Sequence, residues 1–132
     1  MGKQAILVID DSTAMLGEVK LALESAGYEV VTTSQTVGSA RHLGHCDIVI
    51  LDYLMPGIDG GSVLASLRSA TEAHGRSVLF YLYTSDAAIA ARYRQLGFDG
   101  CFTEKGDMQS LVRQVRSAFR LRELMRRRQR PA

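Results

Sequence analysis

The chain of 132 residues reads as an α/β domain, a parallel sheet with helices on both faces. Three observations predict it. Short apolar runs alternate with segments of helical period, five times in succession and with short connections. Three of the runs, within Ala5–Asp10, Cys46–Leu51 and Ser77–Asp86, are almost continuously apolar, as strands covered on both faces are. Parallel neighbours need crossover connections, and the intervening helical segments supply them with the usual right hand.

The elements follow in order. Ala5–Asp10 is a first strand. Ser12–Ser25 has helical spacing through Met15, Val19, Ala22 and Leu23, closed by "AGY". Tyr28–Thr33 is a second strand whose threonines suit an edge. A weak helix is expected over Val37–Leu43, weakened by Gly38. Cys46–Leu51 is the third strand. Gly60–Ala73 is helical, with Asp59 as N-cap and Val63, Leu64 and Leu67 facing inward. Ser77–Asp86 runs as a fourth strand into a helix start, and the Ala-rich helix Ala87–Leu96 ends at Gly97. Gly100–Thr103 is a short fifth strand. The last helix begins near Asp107 and carries Met108, Leu111, Val112, Val115 and Phe119 on one stripe. The second and fifth strands are then the edges.

Composition narrows the class. Hydrophobic residues make up 46% and charged residues 23% of the chain, ordinary for a globular protein in water. No apolar run reaches the roughly 18 residues of a membrane span, and the N-terminus has neither a signal-peptide cleavage site nor a myristoylation signal. Cys46 and Cys101, both placed in strands, lack metal-ligand spacing and read as free buried thiols of a cytoplasmic protein. Residues 113–132 hold eight arginines and one acid, Glu123, a net +7; the whole chain is +2, so the preceding residues carry −5. We therefore expect a domain over 1–120 and a basic extension of the last helix over 121–132, with no output domain. Only that extension resembles a polyanion-binding segment.

In open parallel sheets ligands gather at the carboxyl ends of the strands. Here those ends carry Asp10 and Asp11, Asp52, Thr84 with Ser85, and, beyond the fifth strand, Lys105. Taken singly, Asp11 is a helix cap, Asp52 a turn carboxylate, Thr84 a strand residue and Lys105 a solvated charge. Together they converge on one rim. Two carboxylates about 4 Å apart repel by roughly 4 kcal/mol at an effective dielectric of 20, so three sharing a rim need a cation. Hard oxygen ligands without histidine or thiolate suit Mg²⁺ or Mn²⁺, often completed by a phosphate oxygen. An aspartate beside such a cation can form an acyl phosphate. The phosphoryl oxygens then need a metal, an ammonium and a hydroxyl as partners. Asp52, Lys105 and Thr84 fit those roles.

With "VIDDS", "ILDYLMPGIDG", "LYTS" and "FTEKG" in this order, the chain resembles the receiver domain of two-component response regulators, of the stand-alone single-domain type. The resemblance runs from Lys3 to about Phe119. It implies a flavodoxin-like (βα)5 fold, doubly wound, with a five-stranded parallel sheet in strand order 2-1-3-4-5. It implies Asp52 as phosphoacceptor and Asp10, Asp11, Asp52 and the backbone carbonyl of Leu54 as the metal ligands. Thr84 becomes the switch hydroxyl and Lys105 the phosphoryl contact, and Pro56-Gly57 forms the turn that closes the loop after Asp52. Gly106 stands where the family usually has a cis-proline, which predicts a more mobile loop. Counting back from Lys105 places the switch aromatic at Phe102; counting forward from Gly97 places it at Cys101.

The implied function is Mg²⁺-dependent transfer of a phosphoryl group from a sensor histidine kinase or phosphotransfer protein to Asp52. Phe102 would turn inward and alter the face of the fourth helix, fifth strand and last helix for a protein partner or homodimer. That face is expected to carry Arg92, Arg94, Arg113 and Arg116 alongside Asp99, Glu104 and Asp107. The chain would catalyse its own phosphorylation and dephosphorylation without being a turnover enzyme. The alternative is a degenerate receiver that docks proteins without phosphate, which usually loses an acid or the lysine. A flavin carrier of the same fold class is excluded by the carboxylates of "DDSTA", which repel a phosphate. Nucleic acid enters only through the arginine-rich tail.

Overall fold

The computed structural model describes residues 3–35, 43–55, 58–73 and 77–129, with the backbone alone at 54, 58, 59, 73 and 129. The described elements are β1 (Ala5–Ile9), α1 (Thr13–Ser25), β2 (Glu29–Thr33), β3 (Ile48–Leu51), β4 (Leu54–Met55), β5 (Ile58–Asp59), α2 (Gly60–Ala73), β6 (Leu79–Tyr83), α3 (Ala87–Ala90), β7 (Gly100–Phe102) and α4 (Met108–Gln129). Five strands form one parallel sheet in the order β2-β1-β3-β6-β7. This is the expected 2-1-3-4-5 order once the two-residue strands β4 and β5 are set aside. Those two pair antiparallel, Leu54 with Asp59 and Met55 with Ile58. Two residues are too few to leave a period in the sequence, so this hairpin was not foreseen. Pro56 and Gly57, expected to turn the loop after Asp52, lie outside the described residues.

Every residue of β1 and β3 is buried, whereas β2 alternates as an edge strand does. The pleat sends alternate side chains to opposite faces. Val8, Ile50, Tyr81, Tyr83 and Phe102 meet Leu16, Val19 and Leu23 of α1 and Leu111, Val115 and Phe119 of α4. Leu7, Ile9, Val49, Leu51, Phe80 and Leu82 meet Leu64 and Leu67 of α2 on the other face. Each fully buried aliphatic side chain contributes about 1.5–3 kcal/mol, so the two faces fix the sheet's register and hold its carboxyl ends level.

Several expectations need correction. The α1 cap is Ser12, whose Oγ accepts from the Met15 N–H at 3.2 Å; Asp11 is left free of that duty. Cys46 precedes β3 instead of lying within it, while Cys101 is in β7; neither forms a disulfide. The helix expected over Ala87–Leu96 is regular only to Ala90. Beyond it the Arg92 and Tyr93 N–H groups bond three residues back, to Ile89 and Ala90, and Gly97 closes the turn at φ +98°. No residue of α3 is fully buried; alanine-rich propensity without an anchoring face does not hold a short helix. The expected helix over 37–43 lies outside the described residues except for Leu43, which is buried.

α4 runs unbroken from Met108 through position 120 to Gln129. Arg122 docks this extension onto the sheet's other end, pairing with Asp47 at 3.2 Å and donating to the Ser77 carbonyl at 3.0 Å. Leu121, Leu124 and Met125, the expected contact stripe, are exposed. No described helix is long and apolar enough to cross a membrane.

Candidate phosphoryl-transfer site

Ile9, Leu51, Leu82 and Cys101 lie side by side in the parallel register. The residues that follow them are therefore delivered to one rim. The ladder continues a step beyond the strands: Asp52 N–H donates to Ile9 O at 3.1 Å and Thr84 N–H to Phe102 O at 3.1 Å. Fixing these backbones fixes the side chains they carry.

Asp10 and Asp52 are 3% and 7% exposed, Thr84 4%, whereas Asp11 is exposed. Asp10, Asp11 and Asp52 each offer a carboxylate oxygen within 4.8 Å of the others. The Lys105 ammonium reaches into this group, 2.8 Å from Asp10 Oδ2 and 3.0 Å from Asp52 Oδ2. Burial opposes the charge on Lys105. The hydrogen bonds to Asp10 and Asp52 and their charges together outweigh it, so its pKa stands above the ordinary lysine value. The other oxygen of Asp10 accepts from the Ser12 N–H at 2.9 Å, which orients the carboxylate toward the cluster.

These oxygens suit a hard divalent cation: three carboxylates, no nitrogen or sulfur donor among them, and a pair that already faces an ammonium. Leu54 begins β4 two residues after Asp52. Thr84 follows β6 directly, its Oγ1 accepting from the Asp86 N–H at 3.0 Å, and Asp86 Oδ1 caps α3 through Ala88 and Ile89.

Phe102 is already inward, 2% exposed and stacked on Tyr81 with centroids 4.4 Å apart. Cys101 points to the opposite face of the sheet, against the α2 side. The expected inward turn of Phe102 thus precedes any modification. Asp99 is also misplaced by the sequence reading: it pairs with Arg68 of α2 at 3.1 Å and accepts from the Phe80 N–H, away from the α3-β7-α4 face.

Two residues near the site escaped the sequence reading. Tyr83 accepts from the Gly106 N–H at 3.1 Å. Gln114 of α4 grips Thr103 at both ends, accepting from its N–H at 2.9 Å and donating to its carbonyl at 3.0 Å. The signal available for Tyr83 was the glycine replacing the usual proline, since a loop without that ring needs another tether. Gly106, where the sequence predicts a more mobile loop, is bonded through its N–H to the Tyr83 hydroxyl.

The family model of the response regulator receiver domain matches residues 6–116. The transcriptional regulatory protein KdpE of Mycobacterium tuberculosis is 30% identical over 117 residues, covering 87% of this chain and 50% of that protein. The probable transcriptional regulatory protein TcrX of the same species is 33% identical over 120 residues, covering 87% and 49%. The crystal structure of the Vibrio cholerae chemotaxis protein CheY4 shares the fold, with a TM-score of 0.74 at 19% identity over 88% of this chain and 98% of that one. The chain belongs to the receiver domain family of response regulators, the phosphoacceptor modules of two-component signalling. It spans about half the length of the curated relatives it matches.

Proposed function

We propose that Asp52 accepts a phosphoryl group from a phosphohistidine of a sensor kinase or phosphotransfer protein. An Asp52 oxygen forms the new bond to phosphorus as the P–N bond breaks, and the departing imidazole takes up a proton. Asp10, Asp11, Asp52 and the Leu54 carbonyl would hold Mg²⁺ or Mn²⁺, which when bound offsets the charge on the phosphoryl oxygens. Lys105 stands where it neutralises charge on Asp52 before transfer and on the phosphoryl group after it. Thr84 offers a buried hydroxyl beside them. The observation that carries this reading is the span of Lys105 across Asp10 and Asp52, which marks the rim as a place built for charge of both signs.

Readout follows from packing. The phosphoryl oxygens draw Thr84 toward Asp52, and Phe102, stacked on Tyr81, senses the change from the next strand. The α3-β7-α4 face then alters its affinity for a protein partner or a second copy, in the cytoplasm. Incubation with acetyl phosphate and Mg²⁺, followed by intact mass, tests the chemistry: one phosphoryl group is expected, absent in Asp52→Asn and without the metal. A phosphoryl group retained by Asp52→Asn overturns the assignment.

A further inference from the structure

Lys105 sits in an unusual stretch of backbone. Glu104 has φ +57° and Gly106 φ +102°, so the lysine is flanked by left-handed residues, and the Asp107 N–H closes a turn on the Glu104 carbonyl at 3.0 Å. Proline, with φ fixed near −65°, is incompatible with the Gly106 conformation and has no N–H to give. The peptide bonds described are all trans. This chain therefore positions its lysine by means other than a proline ring.

The means are visible. Gln114 pins Thr103, two residues before Lys105. On the other side the Gly106 N–H donates to the hydroxyl of Tyr83, a side chain 1% exposed and rooted in the central part of the sheet. The Tyr83 ring also faces the lysine, with Nζ 5.7 Å from its centroid, inside the range of a cation–π attraction. Tyr83 thus touches the lysine's loop through its hydroxyl and the lysine's charge through its ring.

We propose that Tyr83 is a positioning residue for Lys105, its hydroxyl tethering Gly106 so that the ammonium is held between Asp10 and Asp52. This rests on the phosphoryl-transfer reading for its consequence, but not for its geometry. Tyr83 touches no reacting atom; it acts through the lysine. Its two contributions separate by substitution: Tyr83→Phe removes the tether and keeps the ring, whereas Tyr83→Leu removes both.

The test has a structural arm and a chemical arm. In the first, ¹⁵N NMR of the metal-free protein follows the Gly106 amide and the Lys105 ammonium. The unsubstituted protein is expected to show a Gly106 amide protected from exchange and a Lys105 Nζ–H cross-peak, visible because the ammonium is held. Tyr83→Phe should speed Gly106 exchange at least tenfold and lose the cross-peak, although both aspartates remain. In the second, Asp52 phosphorylation by acetyl phosphate is timed in a double-mutant cycle. Tyr83→Phe should slow it about 3- to 10-fold, the range that one lost hydrogen bond gives, and have no effect in a Lys105→Ala background. Equal slowing in both backgrounds, or an unchanged Lys105 cross-peak in Tyr83→Phe, overturns the proposal. If no variant takes phosphate on Asp52, the phosphoryl-transfer reading fails, and the resonances alone decide for or against Tyr83.

Discussion

Lys105 and Asp52 meet at 3.0 Å although one ends a loop after the sheet's edge strand and the other follows a central strand. Asp10 shares the same ammonium from the other side. A single cation thus links three segments of the chain at a buried rim. Removing it takes the one ammonium they share from two carboxylates mostly shielded from water. Breaking a buried pair from one side costs about 3–5 kcal/mol; with Lys105 still 18% exposed, Lys105→Met is expected to lose about 3 kcal/mol in metal-free buffer. Urea unfolding measures it, and Mg²⁺ should recover a larger share in this variant than in the unsubstituted protein.

Metal binding should itself raise the melting temperature. At ten times the dissociation constant, linkage gives about 1.4 kcal/mol, or roughly 3–8 °C for a domain of this size. Asp11 caps no helix and shares the rim with two other carboxylates, so Asp11→Asn relieves repulsion and should raise the metal-free melting temperature while abolishing most of the Mg²⁺ shift. Calorimetry with and without Mg²⁺ checks both halves.

Alkaline pH should destabilise the fold. Burial raises the Tyr28, Tyr81 and Tyr83 phenols above 10.0 and the Cys101 thiol above 9.0, and Lys105 is held above 10.5. Each group keeps its proton longer in the folded state. Between the unfolded and folded pKa values the native protein binds more protons, so stability falls as pH rises. The contribution is complete below about pH 9 and is lost progressively above it. A urea midpoint that stays level to pH 11 would contradict this.

Arg122 lies beyond the residues matched by the family model, yet it holds Asp47 and the Ser77 carbonyl. Asp47 in turn accepts from the Ala5 N–H at 2.9 Å, at the start of β1. Arg122→Ala is expected to cost about 2–3 kcal/mol through the lost charged hydrogen bonds. Removing residues 126–132, which lie past this contact, should cost less than 1 kcal/mol. Chemical denaturation of the two variants compares them directly.

Gly106 has φ +102° but open space around a would-be Cβ. Gly106→Ala therefore tests backbone strain alone and should cost about 1–2 kcal/mol. Gly106→Pro, which also forfeits the N–H to Tyr83, should cost more. Thermal melts of the two variants give the order.

The fold was legible where burial imposes a pattern. The runs at Leu7, Val49 and Leu82 are apolar because both faces of those strands are covered, and Leu111, Val115 and Phe119 keep helical spacing for one covered face of α4. Legibility failed where no such pattern exists. The segment after Ala90 looked helical by composition, but α3 has no fully buried residue, and Ile89, Tyr93 and Leu96 are only partly buried against the core. Within the site, Asp10, Asp11 and Asp52 were readable because strand ends aim them together, and Lys105 because its charge had a place to go. Tyr83 and Gln114 were not: Gly106 signals that the loop needs another tether but not which residue supplies it, and an amide contacting the backbone leaves no signature in residue type or spacing.

The central claim is that Asp52 is the phosphoacceptor of this rim. Borohydride reduction after acetyl phosphate treatment converts a phosphorylated aspartate to homoserine, and peptide mass spectrometry then locates it. The account predicts one Mg²⁺-dependent conversion, at position 52. Conversion at Asp10 or Asp11, or a phosphoryl group found instead on a serine or threonine, would contradict it.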